Sequence, residues 1–471
     1  MRQFSSLAAV MVAVSAVATS AQAAEPPGWP AFRAMLQEMV ETDTSYASGD
    51  CTALAHKTAA RMKAAGFPAE NLHVFVPEGS PKSGNLVAVL PGRDLKAKAV
   101  LMLGHHDVVN AFREDWTRDP YVLVEENGEF YGRGVSDMKA QNAIFADNMV
   151  RYHAEGLKPR RTIKLALTCG EEPSGFVNGA AWLAQNQREL IDAGIAVTEG
   201  GGGDLDDQGR KLAVTVMAAE KATTNFTLEV TGPGGHSSKP RPENPIIILS
   251  DALVKLGALP FPAEFNAFSR SYFEAVAPRV DAETGAAMRK VLVDPADTAA
   301  MAIVDRSMSR RAMIRTTCIP TLIDGGHASN AQPQRVRATV NCRLLPGQSV
   351  ASVRAAMEKA IADPRVKFSA PPAPTSPRPA ISTLTPQMVD PIVAVAAKVF
   401  PGVPVTPMQE TFGTDSTRLI VAGIPTFGFS ALFRGDDAGN IHGLNEHVSV
   451  QSVIDGREFL YRLIKAYAEQ K

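Results

Sequence analysis

The chain has 471 residues, 48 basic against 49 acidic side chains and a formal net charge of −1, a balance that argues against nucleic-acid or anionic-membrane partners. Hydrophobic content of 45% describes an ordinary globular protein, and four cysteines exclude a disulfide-dense scaffold. The length exceeds what one hydrophobic core organises, so at least two domains are expected.

In chain order, residues 1–23 have the make-up of a secretory signal peptide. Arg2 supplies the positive end, residues 7–17 the apolar run and Ala21-Gln22-Ala23 the small-residue cleavage site. The run is too short to span a bilayer, and no later segment is long and apolar enough to do so. An exported, periplasmic or secreted protein without a membrane partner is the expectation.

From residue 85 to 195 strand-like and helical stretches alternate, which predicts an α/β unit with a mostly parallel sheet flanked by helices. Residues 86–90, 99–103 and 163–168 are short apolar runs of the kind that form fully buried parallel strands. Residues 138–154 carry Ile144, Phe145, Met149, Val150 and Tyr152 and suit a helix on that sheet, with Ser136 or Asp137 near its N-cap.

After Glu220 and Lys221 the texture changes. Residues 223–231 alternate polar and apolar, helical stretches begin at Ile246, and β-looking runs at 312–322 and 336–345 carry Cys318 and Cys342. Those cysteines either pair across neighbouring strands or remain two buried thiols. An inserted α+β unit over 222–372 accounts for this order, bounded by the proline-rich linker at 370–377. Residues 24–221 and 373–471 then form the two parts of the larger domain. In the second part 391–399 reads as helix, 424–429 as strand and 448–467 as a final helix.

Five short segments place His, Asp or Glu at a strand end or in a glycine-rich loop. They hold His105 and Asp107, Asp137 behind Gly132 and Gly134, Glu171 with Glu172, Glu199 before four glycines, and His442 before Gly443. Two His and three carboxylates match a pair of divalent ions held roughly 3.5 to 4 Å apart with one carboxylate bridging them. Taken singly, each has a plainer reading. His105 suits a satisfied buried histidine, Asp137 a helix cap, and Glu171 with Glu172 a solvated acidic loop.

In extended backbone Asp107 shares a face with His105 and is placed to accept its second ring N–H. One of the adjacent glutamates can ligate while the other acts as general base toward water. The glycines at 200–203 are followed by neither a Lys nor a helix start, so nucleotide binding is not expected. His236, in Gly234-Gly235-His236-Ser237-Ser238, is either a surface loop histidine or a donor to a developing oxyanion.

With these segments in order the chain resembles the co-catalytic zinc peptidase family of aminoacylase, succinyl-diaminopimelate desuccinylase, glutamate carboxypeptidase and carboxypeptidase S. The motifs are Gly104-His105-His106-Asp107-Val108-Val109, Tyr131 to Lys139, Glu171-Glu172, Glu199-Gly200-Gly201, Gly234 to Ser238, Gly413-Thr414-Asp415-Ser416 and His442 to Glu446. The resemblance implies a two-zinc catalytic domain with an inserted α+β lid and dimerisation domain. His105 and Glu199 would complete one Zn2+, Glu172 and His442 the other, and Asp137 would bridge them, with a cis peptide at Asp137-Met138. Glu171 would be the base, Asp107 the partner of His105, and His236 a polarising group supplied in many relatives by the second subunit of a homodimer. Asn330, Arg343 and Gly413 match positions that hold the substrate, and the planar fork of Arg343 suits a carboxylate. Asn110 stands where proline is usual, and Cys169-Gly170 precedes Glu171 where an acidic residue is frequent. The insert at 261–311 looks closest to the carboxypeptidase S branch.

The expectation is therefore an exported metallohydrolase acting on a small peptide beside a free carboxylate, as a carboxypeptidase or dipeptidase. An N-acyl-amino-acid hydrolase is the rival within enzymes. A binding protein that has lost catalysis is the rival outside them.

Overall fold

Apolar strands from both ends of the chain pair into one ten-stranded sheet in the computed structural model, which describes residues 25–172, 175–369 and 383–471. The signal-like segment and the proline-rich stretch lie outside the described residues. The strand order is Leu72–Phe75, Asn85–Leu90, Ile163–Thr168, Val100–His105, Ile195–Thr198, Thr426–Gly428, Lys211–Ala219, Gly202–Leu205 and Phe433–Arg434, with Val405–Gln409 beside Lys211–Ala219.

The centre is parallel. Val100–His105 lies between Ile163–Thr168 and Ile195–Thr198, and Thr426–Gly428 continues in the same sense. Antiparallel pairings flank this centre. Parallel register brings the carboxyl ends of neighbouring strands to one edge, where open α/β sheets carry their sites. His105 pairs with Thr168, so the segments running on to Glu171, Glu172 and Glu199 leave the sheet on the same side as His105.

Side chains of Val100–His105 alternate between two cores. Val100 and Met102 join Phe145, Tyr152 and Phe459, while Leu101 and Leu103 meet Leu183, Ile191 and Leu419. Burial on both faces explains a continuous apolar run rather than an alternating one. Helices Trp29–Glu41, Ala140–Ala154 and Val450–Glu469 cover the first face. Phe145 and Tyr152 are fully buried there, and each such side chain contributes about 1.5–3 kcal/mol.

A second, antiparallel sheet runs in the order Thr317–Gly325, Arg335–Leu344, Ala222–Thr231, Lys367–Ser369. Phe226, Leu228 and Val230 point into a core with Leu249 and Leu256 of helix Pro245–Gly257 and Val353 and Met357 of helix Val350–Ile361. One buried face produces the alternation read at 223–231. The first cysteine-bearing run differs from expectation, because Ala312 and Met313 end the helix Met308–Met313 and the strand starts at Thr317.

Packing divides the 222–372 segment. Helices Ala267–Val276, Ala282–Val293, Thr298–Val304 and Met308–Met313 share a core with Leu212, Ala213 and Met408, so this stretch rests on the large sheet. Its tie to that sheet is polar as well. Gln409 donates to the Met313 carbonyl at 3.1 Å, and buried Lys221 donates to the carbonyls of Ala312 and Arg315.

Two disulfides are present. Cys318 and Cys342 are direct cross-strand partners with Cα atoms 4.1 Å apart. Cys51 and Cys169, separated by 118 residues, form the other, which sequence spacing gave no reason to expect.

The helix read at 391–399 begins at Pro386, with Pro391 inside it. Pro391 has no N–H for the Gln387 carbonyl, and that carbonyl accepts from Gln470 Nε2 at 2.8 Å instead. Among the described residues no helix is long and apolar enough to cross a membrane.

Candidate metal centre

His105 ends its strand with a 2% exposed imidazole, held from behind by helix Ala140–Ala154. Asn142 Nδ2 donates to the His105 carbonyl at 2.5 Å, and a Cβ at Gly104 would lie 1.9 Å from Asn142 Oδ1. Glycine at 104 is therefore required by the close approach of helix and strand.

Asp137 sits in the turn Val135–Lys139, entered through Gly134 at φ +80 and followed by a cis peptide to Met138. Neither Ser136 nor Asp137 caps the following helix. Its N-cap is Lys139, without a side-chain cap, because the Asp137 carboxylate is turned to the two histidines.

Five side chains converge in two overlapping groups. His105, Asp137 and Glu199 form one, and Asp137, Glu172 and His442 the other. His105 Nε2 lies 3.0 Å from Asp137 Oδ1 and 3.6 Å from Glu199 Oε2. His442 Nε2 lies 2.6 Å from Glu172 Oε1 and 3.3 Å from Asp137 Oδ2. Asp137 thus directs one oxygen to each group. The imidazole of His442 is 44% exposed, so the centre opens to solvent on that side.

Negative charge is crowded in this arrangement. Burial and the Glu199 charge push Glu171 well above the usual carboxylate range, and burial pushes Glu199 up to about 8. Burial opposes protonation of His442, but Glu172 and Asp137 outweigh it and raise the imidazole to about 11. Asp137 is held well below its ordinary value by both histidines despite burial. Protons held at these groups offset crowded negative charge that divalent ions would offset instead. The donor set fits two borderline cations sharing Asp137.

Supports around the ligands differ partly from expectation. His105 Nδ1 lies 3.0 Å from the Asp107 backbone carbonyl and 3.7 Å from the Asp107 carboxylate, so the main chain fixes the ring. The Asp107 carboxylate instead accepts from the backbone N–H groups of Glu171 and Glu172 at 3.3 and 3.0 Å. It sets the loop that carries Glu171 and Glu172.

Glu446 was given no role by the sequence. Its oxygens accept from the backbone N–H groups of Gly134, Ser136 and Asp137 at 3.0, 2.9 and 3.0 Å and from Arg133 at 2.8 Å. Its place in the His442 to Glu446 motif was the available signal. Glu220 accepts from the hydroxyls of Thr414, Ser416 and Thr417 and so orders the loop containing Gly413 and Asp415.

The other named residues lie outside the cluster. His236 is exposed on the short strand Gly235–His236, paired with Ala331–Gln332, and its Nδ1 meets Ser238 Oγ at 2.8 Å. Asn330 is exposed, and its carbonyl accepts from the Ser237 backbone N–H. Arg343 donates to Thr223 Oγ1 at 2.7 Å and Asn341 Oδ1 at 3.1 Å. Burial lowers its basicity, and the charges of Glu171 and Glu172 oppose that. Gly413 has the Lys221 carbonyl and Glu220 carboxylate as neighbours.

A sequence profile described as Peptidase family M20/M25/M40 matches residues 101–466. The chain is 29% identical over 395 residues to the human (Homo sapiens) N-fatty-acyl-amino acid synthase/hydrolase PM20D1, covering 80% of this chain and 75% of that one. It is 28% identical over 396 residues to probable carboxypeptidase S-like 2 of Dictyostelium discoideum, covering 81% and 74%. The fold matches the crystal structure of the M20 family metallo-carboxypeptidase Sso-CP2 from Sulfolobus solfataricus with a TM-score of 0.68 at 19% identity, over 93% of this chain and 99% of that one.

Proposed function

The chain belongs to Peptidase family M20/M25/M40, and from that premise we propose that this metallohydrolase cleaves an amide bond beside a free carboxylate, as a carboxypeptidase or dipeptidase with two zinc ions per chain. One observation carries the reading: Asp137 turns one oxygen to His105 and the other to His442, with Glu199 beside the first and Glu172 beside the second. His105 and Glu199 would hold one ion, Glu172 and His442 the other, with Asp137 between. Zinc there supplies carbonyl polarisation and acidifies water toward neutral pH.

The chain's own groups supply the rest. Glu171, kept basic by burial and neighbouring carboxylates, takes the proton of the attacking water and passes it to the leaving nitrogen. Arg343 receives the substrate carboxylate with two parallel hydrogen bonds, and Asn330 and Gly413 complete the substrate contacts.

His236 is exposed and outside its own chain's cluster, with Nδ1 against Ser238 Oγ, so the reading gives it the scissile carbonyl of a partner subunit in a homodimer. Exposed Ile319, Leu322 and Ile323 on the edge strand Thr317–Gly325 support such an assembly. Export is part of the same proposal, supported by the signal-like start and by two disulfides.

Hydrolysis of N-acyl amino acids is the second reading, favoured by the similarity to the human N-fatty-acyl-amino acid synthase/hydrolase. A panel of dipeptides and N-acyl amino acids, assayed with added zinc, separates the two. Preference for dipeptides is expected. Turnover confined to N-acyl amino acids would replace the first reading with the second, and inertness across the panel would overturn both.

A further inference from the structure

Outside the acidic cluster, three soft or nitrogen donors meet in the interior. Cys51 opens the helix Cys51–Ala64, His106 follows the strand Val100–His105, and Cys169 follows Ile163–Thr168. Both cysteines are fully buried and His106 is 1% exposed. Their ligand atoms all lie within 4.8 Å of one another, and the two sulfurs are joined as a disulfide.

His106 carries the second observation. Its Nε2 lies 3.0 Å from the Gly84 carbonyl, which only accepts, so Nε2 bears the hydrogen and Nδ1 keeps its lone pair. That Nδ1 is buried without a hydrogen-bond partner among the described residues. An unpartnered buried acceptor is costly, and the disulfide form offers it nothing. Two thiolates and an imidazole, by contrast, are a nitrogen and sulfur donor set of the kind that holds zinc.

We propose that Cys51, Cys169 and His106 form an interchangeable clip, a disulfide when oxidised and a site for one thiophilic divalent cation when reduced. A dithiol delivers two electrons and two protons to the S–S bond and itself becomes a disulfide. The two thiols formed release those two protons as their sulfurs bind the cation, with His106 Nδ1 as the neutral third ligand. Either form ties helix Cys51–Ala64 to the loop after Cys169, two residues before Glu171. The Cys169 N–H donates to Asn85 Oδ1 at 3.1 Å and its carbonyl accepts from Gly179 at 2.7 Å, so this segment is held on both sides of the clip.

The test uses the full chain, stripped of metal by a chelator and titrated with Co2+ in oxidised and phosphine-reduced forms. A thiolate-to-cobalt charge-transfer band is expected in the reduced form alone, with metal content rising by one ion per chain. The band should vanish in Cys51→Ser and in Cys169→Ser and persist in the double variant Cys318→Ser, Cys342→Ser. No band in reduced, folded protein, or a band that survives Cys51→Ser, overturns the proposal. Should reduction unfold the chain, Zn2+ added with the reductant is expected to restore the folded circular-dichroism spectrum of the wild type and not of Cys51→Ser, and failure of that rescue overturns it as well. Hydrolytic activity of the oxidised enzyme is untouched by either result, because no sulfur belongs to the acidic cluster.

Discussion

Glu171 stands in a loop whose backbone is held by Asp107 while its own carboxyl is pushed well up by burial and the charge of Glu199. As the proposed base, it has a role separable from metal binding. Glu171→Ala should keep two ions per chain and an unchanged circular-dichroism spectrum yet lose at least about 100-fold in kcat; wild-type turnover would remove it as the base. Asp107 acts through its hydrogen bonds to Glu171 and Glu172, and Asp107→Ala should cost about 10–100-fold in metal affinity or activity, read by zinc titration and initial rates. Arg343→Ala should raise KM for substrates with a terminal carboxylate far more than for their amides. Equal changes for both would deny Arg343 that contact.

Elements place these residues, and two buried glutamates show how. Glu446 binds the Arg133 guanidinium and three backbone N–H groups of the Asp137 turn, with both side chains at most 3% exposed. Glu446→Ala leaves Arg133 buried and unpaired, and a loss of about 3–5 kcal/mol in a denaturant titration is expected. Glu410 accepts from the Gly201 N–H at 2.7 Å, and burial pushes its carboxyl up to about 7. Between the ordinary value of 4.5 and about 7 the folded protein keeps a proton that the unfolded chain has lost. This contribution to stability is complete below that window and fades as pH rises through it. Glu410→Gln keeps the acceptor without the titration, so its stability should fall less than that of the wild type from pH 5 to 7. Parallel profiles would refute the assignment.

The same elements show what the amino-acid order discloses. Val100–His105 and Ile163–Thr168 were legible because burial on both faces leaves a continuous apolar run, and their parallel register then brings His105 and the Glu171 loop to one edge. Local pattern left Asp137 open between ligand and cap, since an aspartate before an apolar helix carries the signature of a cap, and only the resemblance gave it the bridging place with a cis peptide. Pro391 misled for a related reason, its missing N–H being offset by Gln470, 79 positions along the chain from it. Glu446 and the Cys51–Cys169 bridge were invisible to local pattern because their partners lie 313 and 118 positions away.

At the scale of the molecule, the two-sheet plan was readable from the switch between alternating and continuous apolar strands, but the packing of the helical insert was not. Helices at 267–313 share a core with Leu212, Ala213 and Met408, and nothing in their own apolar stripes says which sheet they cover. The acidic cluster is open beside the half-exposed His442, and the charges of Glu171 and Glu172 act on Arg343 of the small sheet. In the proposed reading, two cations shared through Asp137 are what that arrangement is built around. Anomalous diffraction at the zinc edge from zinc-loaded crystals tests this most directly. The account predicts two peaks flanking the Asp137 carboxylate, one against His105 and Glu199 and the other against Glu172 and His442; a single peak, or peaks remote from Asp137, would contradict it.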